Sequence, residues 1–198
     1  MKKLTNEVAT GPLELDHAHV LFCLRDGATE VGIIGADTDT NTNTHAKRPM
    51  RVYTPPDKSF SVELTCEPRQ TNVSEPSTPI YQYACGLEES IGPYFFAIVV
   101  SKIDFDVAKI RDEATFERSV RELLTPNKRL IQLVPIKIEG GIGREMIFTN
   151  TRDDLDNGRV RVIIFGKHRY EILFAATDLK MLESAAAERF FATFKPRR

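Results

Sequence analysis

The stretch GIGREMIF, Gly141–Phe148, sets glycines, an arginine and a glutamate at a spacing reminiscent of a phosphate-binding loop. Such a loop holds an anion only when a helix follows, because free amide N–H groups and the helix dipole must point at the charge. Here the glycines are followed by REMIFTN, short and rich in Ile, Phe and Thr, which then runs into the polar TRDDLDNG. The Gly-Lys-Ser/Thr ending of a nucleotide loop is also missing. The glycines therefore read as a turn between two strands.

Other clusters offer less. His17 and His19 would share one face of a strand with Cys23, which suits two zinc ligands, but the remaining ligands at zinc spacing are absent from the sequence nearby. Asp37, Asp39 and Asn41 alternate as calcium-loop ligands do; Thr42 stands where that loop needs glycine and Arg48 where it needs glutamate. GIIGAD lacks the third glycine and the helix of a dinucleotide fingerprint. Asp153, Asp154 and Asp156 make a carboxylate group that ends in DNG, a good turn sequence. His168 with Glu145 is the remaining acid–base pairing, but a turn histidine is solvated and lacks an orienting partner. No G-x-S-x-G or H-E-x-x-H occurs. No catalytic residue, metal or cofactor is expected.

The binding candidates are instead the residues placed as exposed groups near the GIGRE and GKHRY turns, namely Arg144, Glu145, His168 and Arg169. A formal net charge of −1 supplies no field for nucleic acid or anionic lipid, and the basic KPRR at the end is too short to change that. No apolar run approaches the roughly 20 residues of a membrane span. The N-terminal lysines are followed by polar residues rather than an apolar signal region, so the chain as written reads as cytoplasmic, or as exported if its start is misplaced. Cys23, Cys66 and Cys85 are odd in number and lack C-x-x-C spacing. Taking 60–66 and 79–85 as a hairpin puts Cys66 and Cys85 at opposite extremes, which opposes a disulfide between them.

A chain of 198 residues can build one domain with a real core. Residues 36–50, polar and nearly low-complexity, read as a linker after an extension at 1–35 that is either a short hairpin or disordered; the main domain spans 51–198. Within it, FSVELTC (60–66) alternates apolar and polar, and PIYQYAC (79–85) and YFFAIVV (94–100) follow as strands. Residues 67–78 read as a loop carrying the sequon Asn72-Val73-Ser74. A helix is expected over about 108–124, with Phe116, Val120, Leu123 and Leu124 as its stripe and Pro126 as its stop. Pro135 marks the strand 129–138 as bulged or at an edge. Residues 158–176 make a hairpin turning at Gly166, and a final helix over about 179–194 carries Leu179, Leu182, Ala186, Phe190 and Phe194.

In this order several pieces resemble bacterial PsbP-like proteins: YTPPDKSFSVELTCEP, with Cys66 where proline is common; EGGIGREMIF; FGKHRYEI; and AAERFFATFKP, with Thr193 in a serine place. The resemblance covers about 51–196. It implies an α+β fold, an antiparallel sheet flanked by helices in the α/β/α sandwich shared with Mog-type Ran-binding proteins. It also implies a non-catalytic protein-interaction or assembly-accessory role with another protein as partner. The alternative is a small-molecule binder or hydrolase-type enzyme with its site near the 140–170 hairpins.

Overall fold

A computed structural model describes residues 49–72, 80–89, 92–103, 113–124, 126–150 and 157–197. The extension at 1–35, nearly all of the linker, the histidines at 17 and 19, Cys23 and the Asp153–Asp156 group lie outside the described residues. In chain order the elements are strands β1 (Arg51–Tyr53), β2 (Phe60–Leu64), β3 (Arg69–Asn72), β4 (Ile80–Glu89) and β5 (Gly92–Lys102), then helix α1 (Glu113–Arg121). Strands β6 (Lys128–Ile136), β7 (Gly141–Asn150), β8 (Asn157–Phe165) and β9 (His168–Ala176) follow. A 3-10 turn (Leu179–Glu183), helix α2 (Ala185–Thr193) and strand β10 (Lys195–Pro196) close the domain.

Seven strands form one antiparallel sheet in the order β3-β4-β5-β9-β8-β7-β6, and β1-β2-β10 form a second. Successive side chains of a strand point to opposite faces, so each central strand must satisfy two cores. One face carries Tyr83, Phe96, Ile98, Tyr170, Ile172 and Phe174, packed beneath β2, the 3-10 turn and α2. The other carries Met146, Phe148, Val160, Val162 and Leu173, packed against Phe116, Val120 and Leu123 of α1 and the turn after it. Among the described residues the protein is thus mostly antiparallel sheet with two short α-helices. The expected helix-flanked sandwich is modified on one face, where the three-stranded sheet shares the cover with α2.

Several expectations shift. The segment 67–78 is not wholly loop, since β3 lies in it as a polar, fully exposed edge strand on β4. The final helix breaks at Ser184, whose hydroxyl accepts from the Ala187 N–H and caps α2. Leu179, assigned to the buried stripe, is exposed before that break. Strand β6 is an edge as Pro135 requires, and its register slips one residue between Leu130 and Gln132. The β8–β9 turn uses Gly166 at φ 60°. The turn before β7 falls at Glu139-Gly140, so Gly143 lies inside the strand. A Cβ on Gly143 would come within 2.6 Å of Ile136 Cγ1, so the glycine there permits close packing.

Cys66 and Cys85 are joined by a disulfide with Cα atoms 6.1 Å apart, contrary to the hairpin reading. The physical reason is topological. Strand β2 does not pair with β4 but belongs to the other sheet, and Cys66 sits in the connector that crosses from one sheet to the other beside β4.

Candidate functional site

Arg144 and Glu145 lie in mid-strand rather than on a turn, and both are buried, 7% and 8% exposed. Consecutive strand residues take opposite faces, and each of these meets a counter-charge on its own face. Arg144 donates to Glu113 Oε2 of α1 at 3.1 Å and to the Gly143 carbonyl at 3.2 Å, with its guanidinium 5.9 Å from the Phe116 ring centroid. Glu145 faces α2. Its Oε2 accepts from Arg161 Nε at 2.6 Å and pairs with Arg159 at 3.1 Å. Arg159 also donates to the Leu182 carbonyl at 3.1 Å and pairs with Glu188, while Arg161 donates to the Phe191 carbonyl at 3.0 Å. Both guanidinium groups lie 4.8 Å from the Phe191 ring centroid. Burial opposes the Arg159 charge, but hydrogen bonds to Glu188 and Glu145 outweigh it and raise the pKa. This network ties α2 to the sheet.

Arg169 is also buried, 4% exposed, and donates Nε to Glu171 Oε1 at 2.8 Å on the face opposite α2. The expectation of exposed arginines and glutamate at two turns is therefore corrected. Three of the four candidates are interior, because strands β7 and β9 are covered on both faces.

His168 differs. It is half-buried at the β8–β9 turn, paired in register with Phe165 and Lys102, with its ring 5.9 Å from Tyr170. Burial lowers its pKa; the Asp57 charge works against this and Lys102 adds to it. Asp57 belongs to the loop between β1 and β2. Its Oδ1 accepts from the Ser59 N–H at 3.0 Å, and Lys58 takes φ 57° between them. The Tyr170 hydroxyl lies 2.9 Å from the Ser59 carbonyl and 3.1 Å from that of Arg197, pinning the loop and the chain after β10. Burial, with a share from Asp57 and against the Arg197 hydrogen bond, pushes its pKa up to about 12.

Near the same loop stand Tyr53 of β1 and Tyr83 of β4, with Tyr81 two residues before Tyr83 on the same strand face. Tyr53 and Tyr83 rings lie 6.1 Å apart, and Phe60 meets Tyr83 edge-on at 5.2 Å. Tyr53 and Tyr81 are half-buried, whereas Asp57 is exposed. Burial raises the pKa of Tyr53 first, and the carboxylates of Glu67 and Asp57 raise it further. Phenols, an imidazole and carboxylates so placed can accept and donate hydrogen bonds and stack; they do not form a nucleophile with its base.

A separate groove of about 230 Å³ is lined by Val52, Ser61, Val62, Glu63, Ala192, Thr193 and Lys195, and holds none of the four candidates. Among the described residues there is no group of three or more metal-ligating side chains, and no helix is long and apolar enough to cross a membrane. Sequence reasoning missed Arg159, Arg161 and Glu188 as an ion network and Asp57 with the tyrosines as a cluster. Arg159 and Arg161 at alternate positions of an apolar strand, with Glu145 on the preceding strand, were the available sign of the first. The second joins distant segments and had no local sign.

No family model and no curated protein matches the chain. Among solved structures it is similar to cyanobacterial PsbP (CyanoP) from Synechocystis, with 9% identity and a TM-score of 0.48, covering 84% of this chain and 100% of that one. It is similar to a Pseudomonas aeruginosa protein of unknown function, with 20% identity and a TM-score of 0.45 over 75% and 98% of the two chains. It is also similar to the Ran-binding protein Mog1p of Saccharomyces cerevisiae, with 9% identity and a TM-score of 0.43 over 75% and 96%. The likeness is one of fold, PsbP- and Mog1-like, and it assigns neither family nor function.

Proposed function

We propose that the chain is a non-catalytic protein-interaction or assembly-accessory module, and that it meets its partner with the end of the large sheet where His168, Asp57 and the tyrosines lie. One observation carries this reading: there, unlike elsewhere among the candidates, recognition-type side chains remain partly exposed instead of closing on one another. Tyrosine combines apolar area with a polar tip at low entropic cost and is enriched at interfaces. The enzyme alternative finds less support. Glu145 is paired to Arg159 and Arg161, and its register partner Arg161 lies four residues along β8 from Phe165, the partner of His168. That is roughly 13 Å along the strand, too far for an acid–base pair.

The test is capture of partners by the tagged full chain in its native host, repeated with His168→Ala and Tyr81→Ser. A stoichiometric protein held by the wild type and lost by the variants is expected. A solitary wild-type protein, or a partner indifferent to both changes, overturns the reading.

The disulfide bears on compartment. Such bonds persist where the environment is oxidising, so Cys66–Cys85 favours export over the cytoplasmic expectation. Mass analysis of unreduced protein from the host should find these two cysteines blocked to alkylation; free thiols at both would return it to the cytoplasm.

A further inference from the structure

The groove between the three-stranded sheet and the end of α2 has a polarity of its own. Register fixes its floor. Val52 stands opposite Glu63 and Lys195 opposite Ser61, and residues so paired share a face with Cβ atoms about 4.5–5.5 Å apart. Ser61 and Glu63 are two positions apart on β2, so all four residues lie on one side of the sheet. Ala192 and Thr193 of α2 close the groove, which holds about 230 Å³.

Several of its polar groups are already engaged. The Thr193 hydroxyl accepts from the Glu63 N–H at 3.0 Å and donates to the Arg189 carbonyl at 2.8 Å, and the Glu63 carboxylate is paired with Arg189. Two groups are left over. Ser61 is only 6% exposed, yet among the described residues its hydroxyl has no hydrogen-bond partner. Lys195 is exposed and makes no ion pair among those residues. Beside them, Val52 keeps 70% of its surface in solvent and Ala192 is exposed. A buried hydroxyl that lines a groove, with a cation directly across the ladder and apolar surface alongside, matches an anion joined to a short aliphatic group.

We infer that this groove takes the carboxyl terminus of a partner chain whose last side chain is aliphatic. The carboxylate lies between Lys195 Nζ and Ser61 Oγ, and the side chain covers Val52 and Ala192. The occupant is small, because the volume falls below the roughly 300–1,000 Å³ of a site for a drug-sized ligand. One cation and one hydroxyl suit a carboxylate, whereas a phosphate carries nearly two charges and three acceptor oxygens. Glu63 does not repel the ligand, since Arg189 already balances it. Capture of a chain terminus is a recurrent mode of peptide recognition. The inference rests on the interaction reading and names what the partner presents.

The test titrates the isotope-labelled full chain with acetyl-Gly-Leu, whose carboxylate is free, while following the backbone amide signals of Val52, Ser61 and Lys195 by NMR. Controls are the carboxamide of the same peptide and isocaproate. Expected are saturable shifts at these amides with acetyl-Gly-Leu, and binding roughly tenfold weaker for the carboxamide, which lacks the charge. Lys195→Gln and Ser61→Ala should each weaken binding by roughly fivefold at an unchanged melting temperature. Lys195 is exposed, so its variant reads binding even if Ser61→Ala disturbs the sheet. No response, an equal response to the carboxamide, or undiminished binding in Lys195→Gln overturns the inference. Isocaproate bound as tightly as the peptide would overturn the chain terminus as the source and leave the groove to a free acid. If partner capture still depends on His168 and Tyr81 when acetyl-Gly-Leu fails, the interaction reading stands and only the terminus falls.

Discussion

The region beneath α2 and the end of the large sheet are made from the same materials, charged groups and aromatic rings, yet they are left in different states. Under α2, Glu145 is shared by Arg159 and Arg161, both arginines reach main-chain carbonyls, and Phe191 fills the space between. At the sheet end, Asp57 keeps an oxygen free, Glu67 is exposed, and Tyr53 and Tyr81 keep part of their surface in solvent. Charge in a strand is thus no guide to function by itself. Whether the charge has been met inside the molecule is the informative property.

That contrast can be broken most forcefully at Glu145. Glu145→Ala leaves two arginines near the interior without their common carboxylate and should cost about 3–5 kcal/mol, read as a lower urea midpoint. A loss below about 1 kcal/mol would make the network no more than a surface ornament. Next comes the Cys66–Cys85 pair, which closes a loop spanning 19 positions. Its double replacement by alanine should cost about 3 kcal/mol, a fall of roughly 6–12 °C in melting temperature. Tyr170→Phe removes one hydroxyl from the Ser59 and Arg197 carbonyls and should cost about 1 kcal/mol. Smallest are Asp57→Asn and Glu67→Gln, expected to stay within about 0.5 kcal/mol of wild type. A large loss there would place the sheet end among the structural networks.

His168 gives the contrast a pH dependence. Its folded pKa is depressed below the ordinary 6.5, chiefly by burial, so the unfolded chain binds its proton first as pH falls. The contribution is whole above about 6.5 and is lost between that pH and the lower folded value. His168→Gln should flatten the stability profile in that window; an unchanged slope would assign it to other groups.

Much of the fold could be read from the chain because its signals are local. The alternation of FSVELTC, the Gly166 hairpin and the helix-stopping Pro126 each depend on a few neighbouring residues. Pro135 announced an edge because a missing N–H is a property of one residue. Strand β3 escaped notice because RQTN is polar and exposed throughout, so it has no periodicity and exists only because β4 offers it an edge. The disulfide was misjudged for a related reason: it depends on which sheet β2 joins. Arg144, Glu145 and Arg169 were expected as exposed turn groups, and their burial follows from both sheet faces being covered, a fact of the whole fold. Of the candidate site only His168 was visible, since Asp57, Tyr53 and Tyr81 come together from three separate segments.

Strands β1 and β10 flank β2, both antiparallel to it, with Arg51 opposite Leu64 and Pro196 opposite Phe60. The domain's entry and exit therefore lie at opposite ends of one five-residue strand, roughly 13 Å apart along it. A pull on the two ends runs along the strand axes, so the hydrogen bonds of both ladders take the load in shear and share it, instead of opening one at a time. With the Arg197 N–H bonded to the Ser59 carbonyl beyond the last pair, the small sheet works as a mechanical clasp, and a domain pulled from both sides would meet the tension there first.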